Sequence, residues 1–510
     1  MTKKTAGAAV ATQPQHSAAL LSAVTTGVVI LLFVFMRLWR LTDVSLDGDE
    51  IFSLLLARSD WRSLFAGAVH DAIHPPFFYV LLKAWVWLGG ESLFWLRLFP
   101  VVASTLCLVP AFLLCADLGI ARGARNLAVV IASVHPYAIY FAQHMRMYCL
   151  LALFGLASIW SFERYLKDGS HRNLVILSAT NLLLVYSHYY GWLIIGLEFA
   201  YLLWRKRDAL LPFIVASVAV AALFSPWAWV AVQSLHSKGG LAENLGWIPR
   251  PDFSYLSWFY VELCGLGEAL RFGERITVAI LAFLYFMYRR REETGFHWLV
   301  VASLAPPLIT YLVSQCLSQS IWGSRHLIFT LWPLLLVLAD TVWRLHAVAR
   351  ALALALILAW AGYAVETYSP EQQKIHWDRL TLAMLDAENG NISHIPLYSV
   401  DPYLHYPIWF HLESLKDQRL KQLGPYVNSR NDIALLRSKA AKFEVNKITS
   451  LDAAKGDYFW IGYIDSAWKG RLTPKEIFAK RGCKTELELN AKDRFQSVTL
   501  FRVQCSQGSP

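Results

Sequence analysis

The chain has 510 residues, 56% hydrophobic and only 16% charged, with a formal net charge of +10. Soluble domains carry about 25% charged residues, so this balance excludes an ordinary soluble protein and describes a polytopic membrane protein. No basic patch with interleaved aromatics stands out, which excludes nucleic acid as the reason for the charge. The 21 Trp and 22 Tyr suit two interfacial belts.

Residues 1–19 form a polar tail with Lys3 and Lys4. The apolar run Leu20 to Leu38 follows without an A-x-A-type cleavage site, and reads as an uncleaved transmembrane helix. Just past it stands Asp47-Gly48-Asp49-Glu50. Three carboxylates at the exit of a membrane helix are costly beside lipid and point to a site at the membrane surface. A solvated loop with helix-capping acids ahead of Ile51-Phe52-Ser53-Leu54 fits these four residues equally well.

His74-Pro75-Pro76 comes next, with Lys83 and Trp85 in an aromatic stretch. The prolines forbid helix before Pro75 and start one after it. Pro75 to Gly89 is either a short crossing or a helix lying in the interface. His74 and Lys83 are candidates for contacting an anionic headgroup, or simply a helix start and a snorkelling Lys. Further spans are expected near 97–118, 126–142, 147–163, 173–188, 189–204, 211–232, 274–288, 297–315, 326–343 and 350–367.

Three polar groups interrupt these spans: Gln143-His144-Met145-Arg146-Met147-Tyr148, Ser187-His188-Tyr189-Tyr190-Gly191 and Ser324-Arg325-His326. A charged Arg in so tight a connector more often faces a polar cavity than water, and its planar fork suits phosphate. Tyr189 and Tyr190 fit an aromatic belt equally well. Arg325 at a helix start opposes the helix dipole, which suggests a bound anion or a snorkelling anchor.

Composition changes near residue 370. About a quarter of residues 373–510 are charged, against about one in eight before them. This divides the chain into a tail (1–19), a membrane domain (20–370) whose first outer loop spans 40–96, and a soluble domain (371–510). The last reads as small α/β, with strands over 457–463, 484–489 and 496–503 and a helix capped at Thr473 with Pro474 at its first position. Of seven cysteines, five lie in or near apolar segments as packing residues. Cys483 and Cys505 are candidates for a disulfide if the domain lies outside the cytoplasm.

Orientation follows from the basic loops. With the N-terminus inside and Pro75 to Gly89 at the surface, about eleven crossings put Arg122/Arg125, Arg164/Lys167/Arg172, Arg205 to Arg207, Arg289 to Arg291 and Arg344/Arg350 in the cytoplasm. Arg37 and Arg40 are the exception. The acidic turn, Arg146, His188, Arg325 and the C-terminal domain then share the outer face. A carboxylate beside an acceptor hydroxyl, facing cations suited to phosphate, is the chemistry of group transfer from a lipid phosphate. A lipid or glycan transporter without covalent chemistry is the other class, but it favours internal repeats and mid-helix charges, and no repeat is found.

The order of these motifs, with Glu91 and Arg97-Leu98-Phe99-Pro100 between them and Leu331-Trp332-Pro333 after Arg325-His326, resembles the C-type membrane glycosyltransferases, specifically the protein-mannosyltransferase and lipid A aminoarabinose-transferase superfamily. The resemblance covers about residues 20–345. It implies a mostly α, polytopic fold with interfacial helices in the first outer loop and an extracytoplasmic α/β domain behind it. It further implies a polyprenyl-phosphate sugar donor, a lipid, glycan or protein acceptor, and inverting transfer at the outer face of a bacterial inner membrane. The family's Asp-Glu pair maps onto Asp49 and Glu50, with Asp49 as base and Asp47 an additional acid. Its Lys/His-Pro-Pro position maps onto His74. Arg146, Tyr148, His188, Tyr189, Arg325 and His326, with Lys83, would attend the donor phosphate. Members differ in metal dependence, so a divalent ion at Asp49 and Glu50 is left open.

Overall fold

The structure is a computed structural model describing residues 13–235, 248–265, 275–280, 294–367, 374–388, 392–417, 430–492 and 497–505. Most of the predicted 274–288 span lies outside the described residues. The chain is mostly helical. In order come α1 (Gln13–Leu38), α2 (Gly48–Arg58), α3 (Trp61–Asp71), α4 (Phe77–Gly89), α5 (Leu93–Leu106), α6 (Leu108–Asp117), α7 (Arg122–Val134), α8 (Pro136–Ala142), α9 (Tyr148–Asp168), α10 (His171–Ser187), α11 (Gly191–Arg205) and α12 (Leu210–Leu235). Then follow α13 (Phe253–Leu263), α14 (Thr294–Cys316), a 3-10 segment (Ser324–Thr330), α15 (Leu331–Trp343) and α16 (Ala347–Thr367).

Among the described residues, seven helical stretches are long and apolar enough to cross a membrane: Leu20–Leu38, Leu93–Asp117, Tyr148–Asp168, Arg207–Leu235, Gly295–Cys316, Ser324–Trp343 and Ala347–Glu366. Helices α10 and α11 have 17 and 15 residues. The run predicted at 126–142 breaks at His135, whose backbone is extended because Pro136 disfavours helix in the residue before it. Helix α4 has 13 residues. It spans about 20 Å, too short for a hydrocarbon core of about 30 Å.

Polar connections between the membrane helices collect in two groups. In one, Lys167 donates to the Asp117 carbonyl, Lys206 to the Leu166 carbonyl, and Arg164 lies 3.8 Å from Asp117. The other gathers the exit of α1, the entries of α5 and α9, the α10–α11 turn and the 3-10 segment. Arg37, the exception to the charge rule, is buried rather than in a loop. It donates to the Phe33 and Ala132 carbonyls at 3.2 and 3.1 Å and to Ser104 Oγ at 3.0 Å, with its guanidinium 3.2 Å from the Phe33 ring centroid.

The C-terminal part holds a five-stranded mixed sheet in the order β2-β1-β3-β5-β4. Its strands are β1 (Ile395–Ser399), β2 (Phe443–Lys447), β3 (Tyr458–Ile464), β4 (Lys484–Lys492) and β5 (Ser497–Gln504). Strand β1 pairs in parallel with β2 and β3, while β5 runs antiparallel to β3 and β4. Three strands match the predicted ones. The predicted helix is Pro474–Lys480, with Thr473 and Glu476 completing a capping box. Cys483 and Cys505 form a disulfide joining the start of β4 to the end of β5. The domain is attached to the membrane part by α17 (Trp377–Ala387) and α18 (Pro402–Lys416). Phe410 of α18 is buried in the membrane domain's core and lies 5.6 Å from Arg58 of α2.

Candidate active site

The acidic turn is a helix start with a division of labour. Asp47 is the N-cap of α2: its Oδ1 accepts the Glu50 N–H at 2.9 Å, and Glu50 Oε2 accepts the Asp47 N–H at 3.2 Å. This reciprocal pair turns both side chains inward. Asp49, one residue earlier than Glu50 and about 100° around the helix, is left pointing elsewhere.

Glu50 is fully buried. Arg97 binds it through Nη2 at 3.0 Å and Nε at 3.3 Å, the Met145 N–H donates at 3.0 Å, and Lys374 Nζ donates at 3.0 Å. Burial pushes its carboxyl up, but Arg97 and Lys374 outweigh burial and hold it at about 2. Arg97 also donates to the carbonyls of Leu41, Val44 and Ser45, clamping the loop ahead of the turn. Asp47 Oδ2 lies 3.1 Å from His144 Nε2 and 3.2 Å from Lys374 Nζ. Burial opposes its ionisation, yet Lys374 and His144 hold the carboxyl well below the usual range.

Asp49 differs from both. Its side chain is 39% exposed, and Oδ2 lies 3.7 Å from Arg325 Nη1 and 3.9 Å from Arg146 Nε. Arg146 is fixed by donating to Ser53 Oγ at 2.8 Å and to the Asp49 carbonyl at 3.2 Å. The guanidinium of Arg325 lies 5.8 Å from the Tyr148 ring centroid.

Beside these cations stand three buried histidines from separate chain segments. Ring centroids are 5.1 Å apart for His74 and His188, 4.6 Å for His188 and His326, and 6.4 Å for His74 and His326; Tyr148 lies 5.9 Å from His326. His188 Nδ1 accepts the Tyr190 N–H at 3.1 Å. Buried nitrogens His74 Nδ1, His188 Nε2 and His326 Nδ1 have no hydrogen-bond partner among the described residues. Buried polar atoms are normally paired, so such a group suits a polar ligand or water. Burial, together with Arg146 and its histidine neighbours, lowers the His74 pKa well below its ordinary value. A neutral imidazole can still donate one hydrogen bond to an anion.

Two predicted site residues are engaged elsewhere. Lys83 donates to the Ala57 carbonyl at 3.3 Å and to the Ser59 carbonyl, at the C-terminal end of α2. The Tyr189 hydroxyl donates to the Ala72 carbonyl at 2.8 Å and accepts from Trp227 Nε1 at 2.9 Å, bracing the loop that carries His74.

Asp71, Arg97, His144 and Lys374 had no assigned role in the reading from sequence. Asp71 is three residues before His74, at the end of α3. Burial pushes its carboxyl up to about 6, with Arg146 drawing it down and Asp49 adding to the rise. Its nearness to His-Pro-Pro was a usable signal. Lys374 carried none, since 324 positions separate it from Glu50.

The fold is shared with a solved membrane protein. A crystal structure of ArnT from Cupriavidus metallidurans bound to undecaprenyl phosphate aligns with a TM-score of 0.55 at 14% identity, covering 94% of this chain and 97% of that one. The apo structure of the same protein gives 0.54 at 14% identity, covering 95% and 98%. By sequence, the chain matches no family model and no curated protein. The shared property is the fold, an ArnT-like arrangement of membrane helices followed by a small sheet domain.

Proposed function

We propose that the chain transfers a sugar from a polyprenyl-phosphate donor to an acceptor hydroxyl or amine at the outer face of the membrane. The observation that carries this reading is the placement of Asp49: a partly exposed carboxylate beside two guanidiniums, which themselves adjoin a cluster of three buried imidazoles. The fold likeness to a protein crystallised with undecaprenyl phosphate supports the donor class. The Cys483–Cys505 disulfide supports an oxidising location for the C-terminal domain.

In this mechanism Asp49 takes the acceptor's proton as its heteroatom attacks the anomeric carbon. The new glycosidic bond forms as the bond from that carbon to the donor phosphate oxygen breaks. Direct displacement inverts the anomeric centre. Polyprenyl phosphate leaves with the bonding electron pair, and Arg146 and Arg325 stabilise the charge it gains. Tyr148, His74, His188 and His326 line the phosphate's place, with neutral imidazoles as donors. Asp47 and Glu50 are already committed to the helix cap and to Arg97, His144 and Lys374, which supports Asp49 rather than Asp47 as base.

Mass spectrometry of membrane lipids and surface glycans from cells carrying each variant tests this. Asp49→Asn should lower transfer by about 10²–10⁴, the usual size of general-base catalysis, with expression retained. Asp47→Asn should keep measurable transfer. An active Asp49→Asn beside an inactive Asp47→Asn would move the base by two positions. Reconstituted protein that moves a glycolipid across a bilayer without altering it covalently would establish a transporter instead.

A further inference from the structure

The acidic turn resembles a divalent-metal site. Ligand atoms of Asp47, Glu50 and His144 lie within 4.8 Å of one another. Oxygen ligands to such ions stand at about 2.0–2.6 Å. The space between the two carboxylates is taken. Lys374 Nζ lies 3.0 Å from Glu50 Oε2 and 3.2 Å from Asp47 Oδ2, with its side chain 9% exposed. Those are ammonium–carboxylate hydrogen-bond lengths. Arg97 Nη2 stands 3.0 Å from the same Glu50 oxygen, and the other Glu50 oxygen accepts the Met145 N–H. An added ion would meet two fixed positive charges and few free lone pairs. The donor set does not fit a resident metal.

We propose that Lys374 is the built-in cation of this turn, a tethered ammonium standing where a divalent metal would otherwise bind. By drawing Asp47 and Glu50 inward it holds α2 in the orientation that leaves Asp49 toward Arg146 and Arg325. It is a positioning residue, since its contacts are with the two inner acids rather than with Asp49. Lys374 stands three residues before the start of α17, whose Asp378 N–H donates to Ser45 Oγ at 3.4 Å. The charge that completes the turn therefore arrives with the C-terminal domain, and the domain's docking and the site's assembly are one event.

Electron paramagnetic resonance of the purified full chain, with Mn²⁺ alone as probe, tests this without reference to any transfer activity. Wild type should bind no Mn²⁺ at the turn. Lys374→Met, which keeps the aliphatic stem, should gain one Mn²⁺ site at least about tenfold tighter than any in wild type, because the Asp47 carboxylate, the side of Glu50 not held by Arg97 and the His144 imidazole lose their tethered cation. Adding Asp47→Asn should remove that site, and Lys374→Arg should not create it. A folded Lys374→Met with wild-type Mn²⁺ binding would overturn the proposal. So would a wild-type Mn²⁺ site abolished by Asp47→Asn, a measurement that stands even if Lys374→Met fails to fold. Loss of sugar transfer in Asp49→Asn bears on the reaction and leaves this result unaffected.

Discussion

Glu50 shows why a carboxylate in an acidic motif need not touch substrate. It is buried and held by Arg97, Lys374 and a backbone N–H, so its charge is a structural fixture. Removing one partner of a buried pair typically costs about 3–5 kcal/mol, and Glu50→Gln should lower the melting temperature in detergent near neutral pH. The folded pKa of Glu50 lies below its ordinary 4.5, at about 2. Its contribution is therefore present above the ordinary value and lost as pH falls toward 2. Melting curves across that range should fall less steeply with acid in Glu50→Gln than in wild type. Asp71 carries the opposite shift. Its carboxyl, raised to about 6, is neutral in mild acid and charged above neutrality, where it repels a phosphate near Arg146. The ratio of undecaprenyl-phosphate affinity at about pH 5 to that at about pH 8 should be about threefold or more larger in wild type than in Asp71→Asn. The comparison between variants removes the lipid's own titration.

Among elements, the 3-10 segment bearing Arg325 and His326 owes its position to a close approach by α9. A Cβ at Gly155 would meet Phe329 Cβ at 2.7 Å and Ile194 Cδ1 at 3.4 Å. Phe329 Cβ is anchored to the backbone and cannot swing aside, so Gly155→Ala should displace the segment at a cost of about 1–3 kcal/mol. Lipid-phosphate binding should weaken in Gly155→Ala and remain unchanged in Gly196→Ala, where nothing lies within 4 Å. Helices α9, α10 and α11 are also tied by polar bonds between residues far apart in the chain: Glu198 accepts from Ser158 Oγ at 2.6 Å and from Asn181 Nδ2 at 2.8 Å. Local signals did identify the Thr473 cap and strands β3 to β5, because each depends on neighbouring residues; the break at His135–Pro136 falls inside a run expected to be one span over 126–142. Strands β1 and β2 are only five residues each, too short for their alternation to stand out from the flanking sequence.

At the scale of the molecule, membrane orientation is the main consequence to check. Arg122, Arg125, Arg164, Lys167 and Arg205 to Arg207 lie at connections away from the candidate site, which the charge rule places in the cytoplasm. A membrane-impermeant label should reach an engineered cysteine at the C-terminus in intact spheroplasts; labelling only after permeabilisation would invert the topology. Composition by itself determined that this is a membrane protein with a charged domain behind it, since apolar length and charge density are properties of segments. Motif order marked His74, Arg146, His188 and Arg325, because polar groups between apolar runs must face something other than lipid. Only the tertiary structure decided which acid of Asp47-Gly48-Asp49-Glu50 is left exposed. That depends on Arg97, His144 and Lys374, which arrive from three distant segments, and on capping geometry that turns two carboxylates inward and one out.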